Sequence, residues 1–170
     1  MKPVLLAVSL WLAALMPGLA GPQGITTHET PQDIPEVRFV TEDGTRKTLD
    51  AFHGKVILLN IWATWCPPCV KEIPTLDALQ VDLGSAKFEV VTLSIDTGGV
   101  PVVRRFFDKF GLKHLTISVD PTQLSFTNLR IAGLPATLLI NSDGKEIGRL
   151  IGPAAWNAPD MEAFLKGYIR

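Results

Sequence analysis

Cysteine is scarce in this chain, with two residues in 170, alongside one tyrosine, three histidines and three methionines. Two cysteines cannot build a disulfide framework, so the fold must rest on its own core, and 46% hydrophobic content over this length suffices for one domain. A surplus of either charge is also missing. Sixteen basic side chains stand against seventeen acidic ones, a formal charge of −1, which leaves no basic excess to neutralise phosphates and excludes nucleic acid as a partner. No clean apolar run reaches the ~18 to 20 residues of a deep membrane span, so a polytopic membrane protein is excluded. Internal repeats, low-complexity tracts and collagen-like or disordered compositions are absent too.

The first twenty residues do not belong to the globular pattern. Lys2 gives a small positive start, residues 4–16 are apolar except for Ser9, and Gly18 and Ala20 put small residues at the −3 and −1 positions of a cut before Gly21. This is the pattern of an export signal, and it predicts a periplasmic domain. An uncleaved anchor in the inner membrane is the alternative, because residues 4–20 approach spanning length when tilted. Residues 21–35, rich in Thr, Gln, Pro and Gly without period, read as a flexible leader. The domain proper is predicted over residues 36–170.

Within it, residues 36–40 and 47–49 flank Glu42-Asp43-Gly44-Thr45 as an N-terminal β-hairpin. Residues 55–62 and 88–95 are nearly continuous apolar runs, as in strands covered on both faces. Residues 64–82 are helical in pattern, with Pro74 as a kink. Residues 101–110 form a helix whose stripe is Val102, Val103, Phe106, Phe107 and Phe110. A short strand at 116–119, a weak helix at 123–129, a hairpin from 137–140 and 146–151, and a helix at 159–168 complete the chain. This order predicts an α/β fold, a central mixed sheet with helices on both faces.

Both cysteines lie in Trp65-Cys66-Pro67-Pro68-Cys69, after a central strand and at the start of a helix. A structural disulfide closing so short a loop would remove little entropy from the unfolded chain. A zinc half-site would need further Cys or clustered His, whereas His28, His53 and His114 are scattered singly. Haem attachment would need His at position 70, which is Val. What fits is a dithiol redox site with no metal. The free N–H groups and dipole of a helix start favour the Cys66 thiolate. Pro67 and Pro68 are tolerated in that first turn, but they remove two donors from beside the sulfur and leave the amides of Cys69 and Val70. No His or Lys between the cysteines acidifies the thiol strongly, which points to a reducing or intermediate pair.

With residues 54–69 (Gly-Lys-Val-Ile-Leu-Leu-Asn-Ile-Trp-Ala-Thr-Trp-Cys-Pro-Pro-Cys) and Gly133-Leu134-Pro135-Ala136-Thr137 in view, the sequence resembles the thioredoxin-like superfamily and its exported TlpA-like branch. The likeness runs over about residues 36 to 170, nearly all the predicted mature chain. It implies a thioredoxin-like fold, a cis peptide before Pro135, and binding of an extended substrate as an added strand on the backbone of Leu134. It also implies that Trp65 covers the site, with Pro67 and Pro68, and touches partners. Asn60 stands where cytosolic thioredoxins carry a buried, proton-transferring Asp. Asn cannot titrate, and Glu72, one turn beyond Cys69, matches an acidic position of TlpA-like reductases. Two readings of Glu72 stay open: a partly buried proton-transfer group, or a solvated first-turn Glu that complements the helix dipole. Trp62 reads as core, and Trp156 as packing.

The chemistry the resemblance implies is protein-disulfide reduction by thiol–disulfide exchange without a cofactor. Cys66 acts as nucleophile and Cys69 as resolving thiol. The partners are protein disulfides, namely cytochrome c or copper-site assembly proteins, with a membrane dithiol carrier as electron donor. A dithiol oxidase or isomerase, and a Cu(I)-binding thioredoxin-like chaperone, are the rival readings.

Overall fold

The computed structural model of the chain describes residues 21–169, so the apolar N-terminal run and its cut before Gly21 lie outside the described residues. Eight strands form one mixed sheet: β1 (Thr26–Gln32), β2 (Arg38–Thr41), β3 (Arg46–Thr48), β4 (Val56–Trp62), β5 (Phe88–Ser94), β6 (Ser118–Val119), β7 (Ala136–Ile140) and β8 (Glu146–Ile151). Their spatial order is β1-β8-β7-β4-β5-β6-β2-β3. The helices α1 (Pro67–Leu83), α2 (Val100–Phe110), α3 (Leu124–Asn128) and α4 (Pro159–Lys166) flank the sheet.

The apolar run at β4 becomes the middle of the sheet, because every one of its seven residues is buried. It pairs in parallel with β5 from Val56↔Phe88 to Trp62↔Ser94, and antiparallel with β7 from Ile57↔Ile140 to Ile61↔Ala136. A parallel neighbour requires a crossover, and α1 supplies it by burying Cys69, Ile73, Leu76, Leu79 and Leu83 along one stripe. Pro74 lies inside α1 on its exposed side, so the helix continues through it. In α2, Val103, Phe106 and Phe107 are buried, and both phenylalanines pack against the Trp62 ring. Val102 is half-buried, whereas Phe110, expected in the stripe, is exposed at the end of the helix, where its ring lies against Phe106. The hairpin of β2 and β3 joins the sheet through β6, as Val40↔Val119.

Residues 21–35 correct the expectation of a flexible leader. Ile25 is fully buried, and β1 pairs antiparallel with β8 through Thr26↔Arg149 and Thr27↔Gly148. A side chain at 148 would come within 2.8 Å of the Thr26 carbonyl oxygen, so this close approach requires glycine. A partly buried cluster around the Glu146–Arg149 ion pair fastens the two strands. Glu146 accepts from Arg149 Nε and Nη2 at 2.6 Å each, and its Oε1 shares a hydrogen bond with His28 Nε2 at 2.8 Å. The strand was invisible to periodicity because as an edge strand it buries almost none of its own side chains.

Candidate active site

The site forms where the C-terminal end of β4 runs into α1. Parallel strands leave their C-terminal ends open to a ligand, and the turn 63–66 places Cys66 at the N-cap of α1. Pro67 and Pro68 occupy the first two helical positions, where no intrahelical donor is lost. Cys66 and Cys69 are joined as a disulfide, so the site is described in its oxidised state. Cys69 donates its backbone N–H to Cys66 Sγ at 3.3 Å. The Val70 amide, expected beside the sulfur, instead closes the first helical turn onto the Cys66 carbonyl at 3.0 Å. The two cysteines are unequal: Cys69 is fully buried, while the Cys66 residue keeps 5% exposure. Pro67 is exposed, and Trp65 projects with 62% exposure, in contrast to fully buried Trp62.

A segment from far along the chain lies beside the C-terminal end of β4, through the pair Ile61↔Ala136. The peptide bond Leu134–Pro135 is cis, and Pro135 leads directly into β7, the neighbour of β4. Pro135 is buried and its carbonyl accepts from Gly152 at 2.8 Å, whereas Leu134 is half-exposed.

Glu72 lies one helical turn beyond Cys69, on the same buried face of α1, and only 2% of it is exposed. This burial removes the solvated-surface alternative. The loop after β8 folds over the carboxyl. Ala154 donates its backbone N–H to Glu72 Oε1 at 3.3 Å, and the Trp156 indole Nε1–H donates to the same oxygen. Burial drives the Glu72 carboxyl up from its ordinary 4.5 to about 7, opposed in part by the Trp156 and Ala154 donors and by the side chain of Asn60. A carboxyl with that affinity exchanges protons near neutral pH. Trp156 therefore does more than pack: its ring is fully buried and its N–H is spent on Glu72.

Two further positioning groups were not foreseen. Asp96, just beyond β5, is buried and holds the turn before Cys66. Its Oδ2 accepts the Thr64 backbone N–H at 2.9 Å and the Ser94 hydroxyl at 2.7 Å, and its Oδ1 accepts the Thr64 hydroxyl at 2.7 Å. Its place just past the end of a central parallel strand was the available signal. Gln23 clamps the loop over Glu72, accepting from Ala155 N–H at 2.8 Å and donating to the Ala155 carbonyl at 3.2 Å. It was missed because residues 21–35 read as leader. Among the described residues no group of three or more His, Cys, Asp or Glu is placed to hold a metal ion. No helix among them is long and apolar enough to cross a membrane.

A cysteine pair at a helix N-cap, a cis-proline preceding the adjacent strand and a buried carboxyl one turn below define a thioredoxin-like thiol–disulfide exchange site. Comparison with known proteins agrees. The Redoxin family pattern matches residues 30–165, and the chain belongs to that family. It is 32% identical over 130 residues to the thiol-disulfide oxidoreductase ResA of Bacillus thuringiensis (strain Al Hakam), covering 75% of this chain and 73% of that protein. The ResA of Bacillus subtilis (strain 168) is 31% identical over 116 residues, 67% of this chain and 64% of that protein. Among solved structures, a thiol:disulfide interchange protein of the thioredoxin family from Chlorobium tepidum TLS superposes with a TM-score of 0.65 at 25% identity. That match covers 84% of this chain and 99% of the other. The protein is a disulfide oxidoreductase of the thioredoxin-like, TlpA-like type.

Proposed function

We propose that the protein works in an exported, periplasmic compartment as a reductant of partner-protein disulfides, with Cys66, Cys69 and Glu72 as its catalytic residues. In the reductive half-reaction the Cys66 thiolate attacks one sulfur of a partner disulfide and expels the other as a thiolate. Glu72 as a carboxylate takes the proton of the Cys69 thiol. The Cys69 thiolate then attacks Cys66, the mixed disulfide breaks, and the partner leaves as a dithiol while Cys66–Cys69 becomes the disulfide. Holding Cys69 three residues from Cys66 makes that second step intramolecular. Trp65, Pro67 and Pro68 form the contact surface, and Leu134 with Pro135 aligns the partner segment as an added strand.

The observation that carries the reductive direction is the sparse set of donors at Cys66 Sγ. The Cys69 amide supplies one, two prolines supply none, and Val70 is used elsewhere. A thiolate so weakly stabilised favours the disulfide and hence a reducing pair. The export-signal pattern at residues 1–20 supports the compartment, in which a membrane dithiol carrier supplies the electrons. Apoproteins of cytochrome c or copper-site assembly, whose cysteines must be reduced before they are loaded, fit as partners.

Two measurements test this. The Cys69→Ser variant should accumulate mixed disulfides with its partners through Cys66, and an empty trap in cell extracts counts against protein substrates. The Cys66–Cys69 couple should equilibrate nearer to about −270 mV than to about −120 mV, and a value near the latter reverses the direction.

A further inference from the structure

The segment that carries Leu134 and Pro135 is tethered at its two ends and free between them. It begins where α3 stops. Ile131 donates its backbone N–H to the Phe126 carbonyl at 3.2 Å, and Arg130 donates to that of Thr127 at 3.0 Å, the paired bonds that close a helix C-terminus. Such a stop sets one residue in the left-handed region. Glycine usually fills that place, but here Arg130 does so at φ 53°, a conformation its side chain disfavours. The Leu129 carbonyl just before it has no backbone partner among the described residues, and Arg149 on β8 supplies one, donating from Nη1 at 3.3 Å. Beyond Ile131, no hydrogen bond holds Ala132, Gly133 or Leu134 among the described residues. The next tether is the Gly152 N–H on the Pro135 carbonyl, at 2.8 Å.

Arg149 is itself held from outside this segment. Its Nε and Nη2 donate to Glu146 at 2.6 Å each, and Glu146 Oε1 meets His28 Nε2 on β1 at 2.8 Å. Its backbone lies between Leu138 on β7 and Thr26 on β1. A guanidinium fork carries enough donors, rigidly placed, to serve a carboxylate and a carbonyl together. We propose that Arg149 is a positioning residue for partner binding: it fixes the start of residues 129–135 against the sheet, so that the Leu134 backbone waits in the conformation an added strand requires. Without that bond the turn at Arg130 relaxes, and the segment must be ordered again each time a partner binds. The cost falls on affinity, which scales with the fraction of the segment already in its competent form. The chemistry at Cys66 is left alone, because Asp96 holds its turn independently. The inference rests on Leu134 and Pro135 as the partner-binding backbone.

The test is steady-state reduction of insulin, with dithiothreitol as electron donor, by wild type, Arg149→Lys and Arg149→Ala. Beside it stands the single-turnover rate of each reduced protein with glutathione disulfide. Lysine keeps a cation facing Glu146 but lacks the fork that reaches Glu146 and Leu129 together. In Arg149→Lys the KM for insulin should rise about ten-fold while kcat stays within about two-fold of wild type. Arg149→Ala should raise KM at least as far. Glutathione disulfide, too short to add as a strand, should react with all three proteins at rates within about two-fold of one another. A wild-type KM in Arg149→Lys overturns the inference whether or not Arg149→Ala folds, because the effect of the alanine then belongs to the ion pair with Glu146. A kcat and a glutathione disulfide rate that fall together with the rise in KM also overturn it, since the damage then extends to Cys66. A wild-type protein that reduces glutathione disulfide but not insulin removes protein disulfides as substrates, and the inference falls with the reading beneath it.

Discussion

Exchanging Glu72 for glutamine separates the cost of an ionised carboxyl in this site from everything else in the protein that titrates. The carboxyl is nearly fully buried and its proton affinity is raised from 4.5 to about 7. At about 1.36 kcal/mol per pH unit, the ionised form is disfavoured in the fold by about 3 kcal/mol. Because the folded value lies above the unfolded one, the folded state holds the proton more tightly between them. Stability from this group is therefore fully present below about pH 4.5, falls as pH rises toward 7, and is level above that. Glutamine mimics the neutral acid. It keeps an oxygen to accept from Trp156 and Ala154, and it never ionises. Urea unfolding of the two oxidised proteins across pH should thus give equal stabilities near the acid end. Glu72→Gln should be more stable by up to about 3 kcal/mol above neutrality. All other titrations cancel in the difference. A difference that does not change with pH would refute the assignment of burial as the dominant influence on this carboxyl.

Three further outcomes follow from the same geometry. Trp156→Phe keeps an aromatic ring but withdraws the indole donor from Glu72 Oε1, so the Glu72 midpoint should rise above about 7, read from the pH profile of mixed-disulfide resolution. Asp96→Ala strands the Thr64 N–H and the Ser94 hydroxyl in a buried turn. It should cost about 2 to 4 kcal/mol in urea unfolding and slow the reaction of Cys66 with a model disulfide. Glu146→Gln breaks the cluster joining β1 to β8. Arg149 and His28 hold the Glu146 carboxyl below its usual range against burial, so its contribution exists above the unfolded value and fades as pH falls. The variant should therefore lose about 1 to 3 kcal/mol at neutral pH and converge on wild type in acid, with hydrogen exchange of β1 accelerating first.

Strand and helix order in the domain was readable because its signals are local. A nearly continuous apolar run such as β4 sits where both faces are covered, and the middle of the α2 stripe, Val103, Phe106 and Phe107, is buried as its spacing requires, while Phe110 at its end is exposed. The cysteine pair was legible for the same reason, since its chemistry depends on two residues three apart at a helix start. Residues 26–32 were not legible, because an edge strand is held by backbone pairing to β8 and by Glu146, more than a hundred residues away. Glu72 shows the limit most clearly. Its sequence context suits a solvated acid and a buried one equally, and the loop bearing Ala154 and Trp156, over eighty residues downstream, covers it and makes it the buried one.

The amino-acid order by itself determined the dithiol motif, the helix it caps and the apolar strands behind it, since each follows from side chains within a few positions of one another. Tertiary structure alone decided the proton affinity of Glu72. Whether a carboxyl ionises depends on the water it has lost and the donors it meets. At Glu72 both are set by Asn60 from the sheet and by a loop from the far end of the chain.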